Sequence, residues 1–313
     1  MFNTIAIVGV GLIGSSIAHN IRRRGLAQQI LAIEPLAEVR AEVLALGLAD
    51  EAYGDVAQAG KADLIILATA VGTMSALAAA LGPHLKPGAI VTDVGSVKAQ
   101  VIADVAPHIP AHGHFIPGHP IAGTEKSGPS AGFRELFENR WVILTPDEGA
   151  DQIARQRVQA LWEACGAKVT IMDATAHDMV LAITSHLPHL IAFTIVDTAV
   201  QLEDSLKADV IKYSASGFRD FTRIAGSDPT MWRDIFLANK SAVLDILARF
   251  QEDLGQLERA IRGSDGALLF DKFSATRTIR REVVEQGQAG IFDPREPDPE
   301  LSPGPQSLNL YGA

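Results

Sequence analysis

The segment IAIVGVGLIGSSIA near the N-terminus constrains this chain more than any other feature. An aliphatic run ends at Val8, glycines follow at positions 9, 11 and 14, and Leu12–Arg24 reads as a helix. Gly9 permits a tight turn, Gly11 lets a pyrophosphate approach the backbone, and Gly14 lets helix and strand pack closely. The helix start at Leu12 and Ile13 offers free N–H groups and a favourable dipole to an anion. Strand, glycine turn and helix in that order predict a dinucleotide site on Gly9, Gly11, Leu12, Ile13 and Gly14. A glycine turn without a nucleotide is the alternative. The next aliphatic run ends at Ile33, and Glu34 stands twenty residues after Gly14. A carboxylate there accepts hydrogen bonds from both ribose hydroxyls and repels a 2′-phosphate, which predicts NAD over NADP. Arg40 lies near enough in sequence to soften that preference if it folds back.

Short aliphatic runs recur at Thr4–Val8, Ile30–Ile33, Leu64–Leu67, Ala89–Thr92 and Trp141–Leu144, with Val169–Met172 the last plausible strand. Each is followed by Gly, Pro or Asp punctuation, which predicts βαβ units and a mostly parallel sheet covered on both faces. From Thr175 the pattern becomes helical. Thr175–Val200 is one apolar-rich stretch that Pro188 should kink or divide. Asp228-Pro229 reads as an N-cap and first turn opening a long helix. Along it Val243, Leu247, Phe250, Leu254, Leu257 and Ile261 form a stripe in steps of four and three that needs a partner, internal or from a second subunit. The expected fold is α/β: an N-terminal Rossmann-type domain over residues 1–173, then an all-helical substrate-binding and dimerisation domain over 174–292. Residues 293–313 carry five prolines among acidic and small residues and read as a mobile tail.

The formal charge of -10 argues against nucleic acid or an anionic membrane as the main partner. It also means that a small anionic substrate needs a local cluster of cations. The single Cys165 cannot form an internal disulfide and reads as a core residue. No run approaches the roughly 18 consecutive apolar residues of a membrane span, and the N-terminus lacks a signal-peptide pattern. The expected location is the cytoplasm.

Three further segments carry candidate chemistry: DVGSVK at Asp93–Lys98, GHPIAGTEKSG at Gly118–Gly128, and TSHLPH at Thr184–His189 with GFRDFTRIAGSDPTMW at Gly217–Trp232. A free imidazole titrates near neutral pH, so His119 suits a general base, although a lone His beside Pro is more often a loop residue. His186 and His189 are three apart and share a helix face. That spacing suggests a metal, but no Glu or Cys cluster completes a site, so none is expected. Arg223 offers a planar fork for a carboxylate, and Arg219 lies one turn earlier.

With the glycine fingerprint, these segments resemble the prephenate/arogenate dehydrogenase family over about residues 4 to 290, in the family's order and at plausible spacing. The resemblance implies an NAD-dependent oxidative decarboxylation in tyrosine biosynthesis. A cyclohexadienol loses the hydride at C4, its ring carboxylate leaves as carbon dioxide, and the ring becomes aromatic. His119 then matches the catalytic histidine. Ser96 matches the serine that bonds the ring hydroxyl or the histidine, its bland alternative being a helix N-cap. Glu125 matches an acidic residue that gates or tunes the site, against a solvated loop carboxylate. Arg223, assisted by Arg219, would pair with a substrate carboxylate. His186 and His189 would donate to the substrate, and Trp232 either walls the pocket or belongs to the core. Lys126 is a weaker basic candidate.

The resemblance further implies a homodimer through the helical half. Neither a fused mutase domain nor an appended regulatory domain is expected, because the nucleotide strand opens the chain and the helices run close to its end. Two rival readings stay open. One is a β-hydroxyacid or imine-type dehydrogenase, which would want a catalytic lysine in the helical half. The other is a dinucleotide-binding module without catalysis. The residues do not separate prephenate from arogenate.

Overall fold

The computed structural model describes residues 2–124, 126–201, 212, 213 and 215–285. Contacts divide the chain into two units, Met1–Glu252 and Asp253–Ala313. In the first unit, six strands form one parallel sheet: β1 (Phe2–Val8), β2 (Ala27–Ile33), β3 (Glu51–Tyr53), β4 (Leu64–Leu67), β5 (Ile90–Asp93) and β6 (His114–Ile116). Their order is β3-β2-β1-β4-β5-β6, so the strand order reverses between β1 and β4. That reversal opens a crevice at the C-terminal strand ends, where open α/β sheets bind ligands.

Four of the expected runs lie in this sheet, where Ile5, Ile7, Ile30, Leu64, Ile66 and Ile90 pack to one face and Ala6, Val8, Leu31, Ile65, Leu67 and Val91 to the other. Burial on both faces explains why the runs are continuous rather than alternating. Helix α1 (Leu12–Arg24) stops at Gly25, whose φ of 61° is left-handed, and Arg22–Arg24 complement the dipole there. Helices α2 (Ala37–Ala45), α3 (Met74–Leu81) and α4 (Ala99–Val105) follow their strands. A smaller sheet joins β7 (Gly118–Pro120), β8 (Trp141–Leu144) and β9 (Lys168–Ile171), with β7 antiparallel to β8. Cys165, after α5 (Gln152–Ala164), is buried, and burial pushes its thiol up to about 12.

Beyond β9 the described elements are helical. Asp173 caps α6 (Ala174–Leu181) through the amides of Thr175 and Ala176. The expected helix runs unbroken over Ala174–Val200: a π-helical turn at Ala182–His186 joins α6 to α7 (Leu187–Val200), and Pro188 sits in the first turn of α7. By length and composition alone, Ala174–Val200 is apolar enough to cross a membrane, with a mean hydropathy of 1.7 over its most apolar window. The sequence had suggested no such segment because His177, Asp178, His186 and His189 interrupt it. In the fold, His177, Asp178 and His186 are buried and bonded to neighbouring elements.

After α8 (Ser216–Thr222), Asp228 caps α9 (Pro229–Ala238) by accepting from the Met231 amide at 2.7 Å. The long helix expected from this cap is broken at Asn239, and α10 runs over Lys240–Arg262. Val243, Leu247 and Phe250, at the head of the predicted stripe, pack with Ala182, Leu187 and Ile246 in the first unit.

The second unit holds the end of α10 and α11 (Gly266–Glu285). Lys272 ties them by reaching Asp253 and Gln256. Leu254, Leu257, Ile261 and Phe273 line one apolar face, and Leu254, Ile261 and Phe273 are each more than half exposed. The expected tail, 293–313, lies outside the described residues.

Candidate active site

The glycine turn sits where the strand order reverses. Gly9 has φ 86°, and a Cβ there would meet the Ala68 carbonyl oxygen at 2.8 Å. A Cβ on Gly14 would lie 2.2 Å from the Gly9 carbonyl oxygen, so only glycine lets α1 approach β1. At Gly11 an added Cβ meets nothing within 4 Å, which leaves the mouth of the cradle open to a ligand. The first turn of α1 carries no acidic side chain, and its first backbone bond is from Ser15 to Gly11. The amides of Leu12 and Ile13 thus precede the helical ladder. Glu34 is half-buried at the end of β2. Arg40 does fold back: its Nη1 donates to the carbonyls of Glu34 at 2.8 Å and Pro35 at 2.7 Å. The residues present fit a dinucleotide with a free 2′-hydroxyl.

DVGSVK leaves the C-terminal end of β5 beside this cradle. Asp93 and Lys98, the ends of the motif, are fully buried and paired, and Lys98 Nζ also donates to the Gly118 carbonyl at 2.7 Å. Asp93 accepts from the amides of Gly95 and Gly118. Burial lowers the Lys98 ammonium from its ordinary value, while Asp93 opposes the shift. Ser96 is half-buried, and its hydroxyl makes no hydrogen bond among the described residues. It is not the cap of α4. Asp178, from α6, takes that role by accepting from the amides of Lys98 at 2.7 Å and Ala99 at 2.9 Å.

His119 lies on β7, buried, with its Nδ1 2.9 Å from Nε2 of His177. Nδ1 of His177 is in turn 2.8 Å from Asp178 Oδ1. Burial holds the His119 imidazole well below its ordinary value, reinforced by His177, Lys98 and His186. The ring is therefore neutral near pH 7.

The helical wall assembles the other candidates. His186 is wholly buried, and Asn239 Nδ2 lies 3.1 Å from its Nδ1 while donating to the Asp178 carbonyl at 2.8 Å. Burial brings His186 down to about 4. His189 stacks on Trp232 with ring centroids 3.7 Å apart, and Trp232 packs against Val97 of the DVGSVK segment. The indole therefore bridges the two halves. Arg223, exposed in the turn after α8, lies within electrostatic reach of His189. Arg219 is exposed as well and faces Asp220 at 3.8 Å. Lys126 is exposed, and Glu125 lies outside the described residues.

Sequence reasoning passed over His177, Asp178 and Asn239. His177 is 58 residues from His119 and shares no motif with it, and only the packing of α6 against β7 and α4 joins them. Asp93 and Lys98 lay inside a quoted motif, but their mutual pairing had no sequence signal.

A glycine turn at the strand-order reversal of a parallel sheet, followed by a helical second half, defines a dinucleotide-dependent dehydrogenase. The chain belongs to the prephenate dehydrogenase family. The model of that family's nucleotide-binding domain matches residues 17–171, and the model of its dimerization domain matches residues 173–275. A cyclohexadienyl dehydrogenase from Zymomonas mobilis is 40% identical over 281 residues, covering 90% of this chain and 96% of that protein. The crystal structure of Aquifex aeolicus prephenate dehydrogenase with hydroxyphenyl propionate and NAD+ superposes with a TM-score of 0.85 at 36% identity, covering 90% of this chain and 99% of that one. Synechocystis arogenate dehydrogenase superposes with a TM-score of 0.76 at 30% identity, over 90% and 99% of the two chains.

Proposed function

We propose that this chain catalyses the NAD-dependent oxidative decarboxylation of prephenate, arogenate or both. The observation that carries the reading is a buried imidazole, His119, kept neutral beside the cradle of a dinucleotide. NAD supplies the hydride acceptor when bound on the Gly9–Gly14 turn. His119 accepts the proton of the substrate's C4 hydroxyl as the C4 hydride departs. The ring carboxylate then leaves as carbon dioxide, and aromatisation drives the step. Ser96, its hydroxyl unspent among the described residues, bonds the ring hydroxyl. Arg223 pairs with a substrate carboxylate, with Arg219 in support. His189 and Trp232 form the wall, and the buried His186 stands behind them. Glu125 is proposed from the resemblance alone to tune the mouth of the site.

The division of labour proposed is nucleotide binding over residues 1–173 and substrate binding over 174–292. The match to a dimerization-domain model, and the exposed apolar face of Leu254, Ile261 and Phe273, support a homodimer. We place the enzyme in the cytoplasm. A light-scattering mass equal to one chain would refute the dimer.

Purified protein with NAD and either substrate should reduce nicotinamide and release carbon dioxide. His119→Asn should lower the rate by about 10²–10⁴ with NAD binding retained. Unchanged turnover would remove His119 from its role, and silence of the wild type with both substrates would overturn the reading.

A further inference from the structure

We propose that His177 and Asp178 act as a positioning relay that fixes the tautomer of His119, making Nε2 the catalytic base atom. The inference rests on the reading of His119 as the base and deepens it. It begins at Asp178. Its Oδ1 accepts from the Lys98 amide and lies 2.8 Å from His177 Nδ1, while Oδ2 accepts from the Ala99 amide. With both of its oxygens accepting from amides, the carboxylate is the acceptor in its bond to His177 as well. His177 Nδ1 therefore carries hydrogen.

His177 is wholly buried. A neutral imidazole with hydrogen on Nδ1 presents a lone pair at Nε2. That lone pair faces His119 Nδ1 at 2.9 Å, so His119 Nδ1 is the donor of this bond. The lone pair of His119 is then left on Nε2, the ring nitrogen with no hydrogen bond among the described residues. When Nε2 takes the substrate proton, the Nδ1–H···Nε2 bond becomes charge-assisted, and the Asp178 carboxylate balances the new charge through His177. The order carboxylate, imidazole, imidazole thus supplies both orientation and charge balance to a base that burial alone would hold neutral.

The competing arrangement is an imidazolium at His177 paired with Asp178. It would reverse the bond, put hydrogen on His119 Nε2 and remove the base. The two amides on Asp178 make that extra cation unnecessary. Among the described residues, the charged and titratable groups around His119 are Asp93 and Lys98 from β5 and the segment after it, His177 and Asp178 from α6, and His186 from the π-turn.

Nitrogen-15 NMR of imidazole-labelled wild-type protein at pH 8 reads the tautomer directly. The expected result is a protonated Nδ1 and an unprotonated Nε2 on His119; a protonated Nε2 would overturn the relay. In steady-state kinetics, His177→Leu should lower kcat by about 10²–10⁴ with KM and NAD affinity nearly unchanged. His177→Gln should recover at least a tenth of wild-type kcat, because its carbonyl can still accept from His119 Nδ1. Equal losses in the Gln and Leu variants would reduce His177 to packing and overturn the proposal. The tautomer is measured without substrate, so a wild type silent on both substrates sinks the functional reading separately.

Discussion

Lys98 and Asp93 form a wholly buried ion pair that holds both backbone groups of Gly118: the ammonium donates to its carbonyl and the carboxylate accepts from its amide. Gly118 precedes His119 on β7, so the pair fixes the strand that carries His119. Removing one partner strands a charge in a dry interior. Lys98→Met should cost about 3–5 kcal/mol of unfolding free energy, read by urea denaturation. The same variant should lose activity through a loosened His119. A loss under about 1 kcal/mol would mean that water or a rearranged side chain reaches Asp93.

The buried histidines impose a direction on stability against pH. Burial lowers His186 to about 4 and also lowers His119 and His189, whereas the unfolded chain titrates them near 6.5. Between those values the unfolded state binds more protons than the folded one. Stability is therefore full above about pH 6.5 and falls as pH drops towards 4, a window above the ordinary carboxylate range. His186 alone corresponds to roughly 3 kcal/mol over that window. Urea midpoints measured from pH 7 to 4.5 should fall, and His186→Gln should flatten the slope. A flat wild-type profile would show that the pocket hydrates these rings.

Much of this was legible in the sequence because it is local. The glycine turn, the continuous strand runs and the Asp228 cap each depend on residues a few positions apart. The strands β3, β6 and β7 were not legible, since three residues give no periodicity. The break at Asn239 was hidden for a different reason. Asn239 ends α9 because its side chain serves the Asp178 carbonyl and His186, which are remote in sequence. Likewise the cap of α4 comes from Asp178 across the fold, where a local rule pointed to Ser96. His119 could be singled out from its motif, but the histidine and carboxylate behind it could not.

We place cofactor choice on Glu34 and Arg40. Arg40 is already held against the Glu34 and Pro35 backbone carbonyls, so its guanidinium stays close to the residue proposed to discriminate against a 2′-phosphate. Glu34→Ser should remove the repulsion while leaving the guanidinium in place. The ratio of kcat/KM for NADP to that for NAD should rise by about 10–10³-fold. Adding Arg40→Ala should cancel most of the gain. An unchanged ratio in Glu34→Ser would show that Glu34 does not face the ribose.

Arg223 should be separable from Arg219 by how each substitution divides between KM and kcat. The chain carries a net charge of -10, so a dianionic substrate needs a local cation. Arg223 lies within electrostatic reach of His189, whose ring stacks on Trp232, while Arg219 is 72% exposed along its side chain and faces Asp220. A cation on the side-chain carboxylate, which does not react, binds ground and transition states alike. Its loss raises KM and leaves kcat nearly unchanged. A cation on the departing ring carboxylate holds the ground state more tightly, because charge leaves that group as carbon dioxide forms. Its loss would raise KM and raise kcat as well. Arg223→Ala is expected to follow the first pattern, with KM up by about 10–10²-fold, Arg223→Lys between it and wild type, and Arg219→Ala smaller than both. Steady-state kinetics with each substrate decides, and a larger effect at Arg219 would move the anchor one turn back along the chain.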